Sequence, residues 1–114
     1  DSIMAGLNCG TPSVVAWPFV RQAFNAFMSV SDDYSKQAMR QLYYPLGDDA
    51  RVISGESGAA GLAALLLLSH QDDMSTAREK LGLGGDATIL LLNTEGDTDP
   101  VNFKRVIGIS DQHP

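Results

Sequence analysis

Apolar residues recur along the chain with two different rhythms. Val14, Val15, Trp17, Phe19, Val20, Phe24, Phe27 and Met28 are spaced by threes and fours, which predicts a helix burying one broad face. Ser13 stands where it can cap that helix, and Pro18 falls in its first turn, where a missing N–H costs little. Ser31-Asp32-Asp33 predicts a second helix start, with acidic side chains complementing the dipole and Tyr34, Ala38, Met39 and Leu42 forming the apolar stripe. Pro45 and Gly47 end it. Residues 59–68 have almost no polar face, and a helix apolar on every side expects to be surrounded by protein. A lone small domain offers little material for that. A further helix is predicted over 72–81, capped by Asp73 or Ser75 and stopped by Gly82, Gly84 and Gly85.

Residues 87–92 have no helical period. They are a continuous apolar run bounded by turn signals, which predicts a strand covered on both faces. Residues 103–109 read as a final strand or a connecting segment, and 111–114 as a frayed end. Helices flanking a buried strand predict an α/β architecture, helices packed on a short sheet.

Composition narrows the function classes. With 114 residues the chain is the size of one domain, and 44% hydrophobic with 19% charged residues suits a soluble protein. A formal charge of −6 argues against nucleic acid as a partner, because phosphate binding needs clustered Lys and Arg. Cys9 is the single cysteine, which excludes an internal disulfide framework and fits a reducing, cytoplasmic setting. No apolar run approaches the roughly 20 residues of a membrane span. The chain opens on Asp1 rather than a methionine, so a piece of a larger protein is expected.

Two stretches can carry chemistry: Ser54-Gly55-Glu56-Ser57-Gly58-Ala59, opening the apolar helix, and Asn93-Thr94-Glu95-Gly96-Asp97-Thr98-Asp99-Pro100, following the apolar run. Open α/β sheets bind ligands beyond the carboxyl ends of their strands, the position Asn93 and Thr94 occupy. Their amide and hydroxyl can each form a directed hydrogen bond to a heteroaromatic ring, and Gly96 permits close approach or a positive φ. An Asx-rich turn without a ligand explains the same residues equally well. Glu56 is expected near the interior, beside a helix that must be buried; a decorated, exposed turn is the plainer alternative. Cys9 lacks a base, since His70 and His113 lie far along the chain, and two isolated histidines make no metal site. The doublets Asp32-Asp33, Asp48-Asp49 and Asp72-Asp73 are explained as solvated caps.

Taken together, these residues resemble the carboxyl-terminal part of the diaminopropionate ammonia-lyase family, within the threonine-dehydratase-like, fold type II pyridoxal phosphate enzymes. The likeness rests on Ile3-Met4-Ala5-Gly6-Leu7-Asn8-Cys9-Gly10, Ala16-Trp17-Pro18, Ser31-Asp32-Asp33-Tyr34, Ala38-Met39-Arg40, the Ser-Gly-Glu-Ser-Gly-Ala motif and Thr94-Glu95-Gly96-Asp97-Thr98-Asp99-Pro100, all in the family's order. The resemblance implies that residues 1–114 are a single carboxyl-terminal fragment of a larger catalytic domain whose sheet is mostly parallel. It implies a lyase degrading 2,3-diaminopropionate, a small amino-acid substrate, to pyruvate and ammonia with pyridoxal phosphate as cofactor, working as a homodimer. On this likeness Asn93, or Thr94 beside it, faces the cofactor's ring nitrogen, Glu56 and Gly96 lie near the ring, and Ala5-Gly6-Leu7-Asn8 edges the pocket. A related threonine or serine deaminase, or a stand-alone binding module derived from the same fold, are the alternatives.

The family's Schiff-base lysine motif and phosphate loop are absent, and Lys36, Lys80 and Lys104 match neither. These 114 residues alone are therefore expected to be inactive and to take up no stoichiometric lysine-linked cofactor. An absorbance titration of the isolated polypeptide with pyridoxal phosphate checks this, and a one-to-one visible band contradicts it.

Overall fold

A computed structural model describes residues 1–109. Its helices are α1 (Trp17–Ala23), α2 (Asp32–Tyr43), α3 (Ala60–His70), α4 (Ser75–Lys80) and α5 (Pro100–Ile107), with 3-10 turns at Ala5–Leu7 and Asp72–Met74. The expectation for residues 111–114 lies outside the described residues.

The core is a three-helix contact. Ala38 and Met39 of α2, Ala59 and Ala63 at the start of α3, Leu66 further along it, and Phe103, Val106 and Ile107 of α5 form one buried cluster. Ala38, Ala59 and Ala63 are fully buried, and their small side chains let the α2 and α3 backbones approach closely. Phe103 packs edge-on against Tyr43, with ring centroids 5.7 Å apart. The Arg40 Nε donates to the Val106 carbonyl at 2.7 Å, occupying an acceptor near the end of α5.

Helix α2 matches the predicted stripe: Ala38 and Met39 are buried, with Tyr34 and Leu42 packed beside them. Ser31 holds the cap position without a side-chain cap bond, and the acidic pair serves other ends. Asp33 pairs with Lys36 at 3.2 Å in an exposed bridge, a type that contributes little. Asp32 accepts the Ser2 hydroxyl at 2.6 Å and the Ile3 N–H at 3.2 Å, fastening the amino-terminal segment to the start of α2. The loop after α2 returns with the Val52 N–H on the Leu42 carbonyl and the Arg51 guanidinium over the Tyr43 ring.

Several elements depart from the sequence expectation. Among the described residues there is no β-strand, so the short, mostly parallel sheet is not seen within them. Residues 87–92 are extended, and Leu91 reaches the α3 backbone at Gly61, but Leu90 is 85% exposed. A strand exists only as a member of a ladder, and a single extended run has no second strand with which to exchange hydrogen bonds. Residues 103–109, read as a strand or connection, fall largely in α5. The signal lay just upstream: the Asp99 carboxylate accepts the Asn102 N–H at 3.0 Å, Pro100 takes the first helical position, and Gly108 closes the helix at φ 81°.

The predicted broad-faced helix of residues 14–28 shrinks to α1, which packs on none of the other helices among the described residues. Ser13 does accept the Ala16 N–H at 3.2 Å. Trp17, Phe24 and Phe27 cluster with one another at ring spacings near 6 Å instead of entering the core. The periodicity marks a face to be buried; Trp17, Phe19, Phe24 and Phe27 stay exposed among the described residues, and Phe27 and Met28 face Leu67, Leu68 and Met74 only across a cavity of about 500 Å³. The all-apolar α3 packs against α2 and α4, and residues 60–68 are all buried or half-buried. Helix α4 is shorter than residues 72–81, with the 3-10 turn before it and Gly82 at φ 67° after it. Its Arg78 guanidinium donates to the Leu68 and Gln71 carbonyls, satisfying acceptors at the end of α3.

The hydrogen bond from Ser2, then that from the Ile3 backbone, holds the Asp32 carboxyl below its ordinary range. A depressed value makes the anchor complete above the ordinary aspartate range and lost as pH falls through the depressed one. Amide exchange is therefore expected to show Ile3 protected at neutral pH and released on strong acidification, with Asp32→Ala releasing it at every pH. Equal protection in that variant contradicts the anchor.

Candidate functional site

The two motif loops meet at the opening of α3. Ser57 and Gly58 have backbone N–H groups without helical partners, and the Glu95 Oε2 accepts both, at 2.7 and 3.2 Å. The Glu95 carbonyl also accepts the Gly55 N–H at 3.0 Å, and its Oε1 accepts the Thr98 hydroxyl at 3.1 Å. One residue thus bonds to the 54–58 turn through side chain and backbone while fixing its own loop. Asn93 makes a second fastening: its Oδ1 accepts the Ser54 hydroxyl at 2.9 Å, and its Nδ2 donates to the Ile53 carbonyl at 3.0 Å.

This approach needs glycine at two positions. A Cβ on Gly58 would lie 2.4 Å from the Asn93 Oδ1 and 2.7 Å from the Glu95 carbonyl oxygen. One on Gly55 would lie 2.4 Å from the Gly96 carbonyl oxygen. Gly96 itself has neither a positive φ nor crowding around its Cβ position, so the conformational reason expected for it belongs to Gly55 and Gly58.

Glu56 has partners outside this clamp. Its side chain is buried at 7% exposure, its carboxylate accepts the Asn102 amide, and the Asn102 oxygen in turn accepts the Arg105 guanidinium. Its backbone carbonyl accepts the fully buried Ser35 hydroxyl at 2.7 Å. The desolvation of a buried carboxylate is offset by that amide donor rather than by a facing cation. Glu56 and Glu95 share the wall of a cavity of about 440 Å³ with Ile3, Ala5, Asn102 and Arg105. The amino-terminal segment is held there by the Gly6 N–H, which donates to the Ser57 hydroxyl at 2.9 Å.

Of the residues singled out from the sequence, Glu56 lines this cavity, while Asn93, Thr94 and Gly96 stand on the adjoining loop. Asn93 is engaged in the clamp, and Thr94 is exposed next to it. Cys9 is exposed, and His70 ends α3. Sequence reasoning quoted Glu95, Ser54 and Ser57 within the motifs without giving them a part, and missed Asn102 and Arg105. The available signal was the pairing of two glycine-bearing loops, one rich in N–H groups at a helix start and the other carrying a carboxylate.

The backbone is similar to part of a fold type II pyridoxal phosphate enzyme. Similar solved structures are those of diaminopropionate ammonia-lyase from Escherichia coli. Its complex with an aminoacrylate-PLP azomethine reaction intermediate matches 93% of this chain at a TM-score of 0.86 and 42% identity, over 28% of that chain. Its apo form matches 84% at a TM-score of 0.78 and 38% identity, over 26% of that chain. Among curated relatives, the Escherichia coli diaminopropionate ammonia-lyase is 42% identical over 106 residues and that of Salmonella typhimurium 37% over 107, each covering 93% of this chain. The chain spans 27% and 26% of those relatives' lengths. No protein-family model matches. The resemblance read from the motifs thus extends along nearly the whole chain.

Gly58→Ala and Gly55→Ala are expected to destabilise the fold by about 1–3 kcal/mol each, the usual range for overpacking against groups that cannot move. Gly96→Ala, with open space around its Cβ position, should stay within about 0.5 kcal/mol. Urea unfolding of the three variants checks the order, and a Gly96 effect as large as that of Gly58 contradicts it.

Proposed function

We propose that this chain is part of a pyridoxal phosphate-dependent ammonia-lyase that degrades 2,3-diaminopropionate to pyruvate and ammonia, contributing contacts to the cofactor ring. The observation that carries the reading is the match to diaminopropionate ammonia-lyase in sequence and in backbone along 93% of the chain. A match of that extent favours the enzyme over a stand-alone binding module. In this reading the full-length protein is a cytoplasmic homodimer, and the lysine motif and phosphate loop come from residues outside this chain. Residues 87–92 then form a strand of the parent's mostly parallel sheet, which accounts for an extended apolar run that has no ladder partner among the described residues.

The residues present fit such a cofactor. Asn93 has two of its four hydrogen-bonding positions committed to Ser54 and Ile53, whereas Thr94 offers an exposed hydroxyl on the same loop end. This favours Thr94 as the partner of the ring nitrogen, with Asn93 holding the loop. Glu56, fixed by Asn102, supplies an oriented carboxylate beside the cavity, and Gly96 stands on the same loop as Thr94. When bound, the cofactor supplies the electron sink for loss of ammonia from the substrate.

Pyruvate release from 2,3-diaminopropionate by the full-length protein is the direct test, and its absence in the presence of pyridoxal phosphate overturns the proposal. Thr94→Val is expected to weaken cofactor binding about tenfold, the worth of one hydrogen bond. Asn93→Ala should act mainly on the stability of the loop.

A further inference from the structure

We infer that Glu95 is a positioning residue that sets the place of Thr94 and locks the loop bearing it to the turn bearing Glu56. The inference rests on the cofactor reading above but concerns a residue that makes no contact proposed there.

Thr94 lies on an exposed loop, and nothing in its own surroundings fixes it. Its neighbours on either side are both fastened. Asn93 is held by Ser54 and Ile53. Glu95 receives the N–H groups of Gly55, Ser57 and Gly58 and the hydroxyl of Thr98. The bonds to its carboxylate are charge-assisted, and those from Ser57 and Gly58 come from the positive end of a helix, so they are stronger than neutral ones. The Asn93 bonds are neutral. Glu95 is therefore the stronger of the two fastenings. Gly55 and Gly58 allow no residue-sized gap between the loops, which makes the clamp close-fitting as well as strong. A site contact must be held within about 0.5 Å to be productive, a tolerance that an exposed loop does not meet unaided.

The test is a double-mutant cycle on the full-length protein with Thr94→Val, Glu95→Ala and the pair. Its readouts are the dissociation constant for pyridoxal phosphate, by absorbance titration of the apoprotein, and amide exchange at Ser57 and Gly58. Glu95→Ala is expected to unprotect both amides and to weaken cofactor binding about tenfold. The double variant should bind no more weakly than the weaker single one, because Glu95 acts through Thr94. Additive losses, an unchanged dissociation constant in Glu95→Ala, or amides that stay protected each overturn the inference while leaving the enzyme reading intact. A wild-type protein that binds no cofactor overturns both. Should Glu95→Ala not fold, Glu95→Gln carries the cycle: its amide oxygen still accepts the two N–H groups without the charge, and a smaller loss that is again non-additive with Thr94→Val is expected.

Discussion

The Glu95 carboxylate, received by the N–H groups of Ser57 and Gly58, is the contact on which the site depends. Those donors open a helix whose residues are otherwise almost wholly apolar, so the helix provides no side chain of its own to satisfy them. Bringing a carboxylate from 37 or 38 positions away solves that local deficit and, in the same step, lays one motif loop against the other. The requirement for glycine at 55 and 58 follows from it, since the approach leaves no room for a Cβ.

The three-helix core supports this junction from below. Ala59 and Ala63 carry the start of α3 onto Ala38 and Met39, and α5 closes the cluster with Phe103, Val106 and Ile107. The helix starts and ends near the site are used twice. Ser35 of α2 anchors the Glu56 carbonyl, and Asn102 of α5 binds the Glu56 carboxylate, so the turn is held from both flanking helices. Asp99 caps α5 one residue before Pro100 and stands in the same acidic stretch as Glu95. The Thr-Glu-Gly-Asp-Thr-Asp-Pro run is thus a clamp, a turn and a helix start in succession.

Large apolar areas remain uncovered. The aromatic cluster of α1 and its flanks and residues 87–92 present largely exposed hydrophobic side chains among the described residues. This agrees with a chain that spans about a quarter of the relatives it matches. The shortening of the helix predicted over residues 14–28 and the missing ladder have this one origin, since apolar periodicity describes what a segment would bury, and burial needs a partner.

The sequence by itself determined the local features: the stripe of α2, the apolar helix after the glycine-flanked turn, the glycine stop after α4, and the two motifs by which the enzyme resemblance was read. Each depends on residues close together in the chain, whose spacing and conformational preference are visible in one dimension. Residues 103–109 fall largely in a helix because Asp99 and Pro100, turn residues in one dimension, serve as its cap and first residue. The parts of Glu95, Asn102 and Arg105 were not legible, because a carboxylate or amide in a polar loop looks the same whether it faces water or a helix start 37 residues away. Which of Asn93 and Thr94 is committed to the clamp, and that Gly55 and Gly58 rather than Gly96 make the close approach, were decided only by the tertiary structure. Hydrogen bonds and steric exclusion act over a few ångströms, and only the folded chain says which residues stand that near.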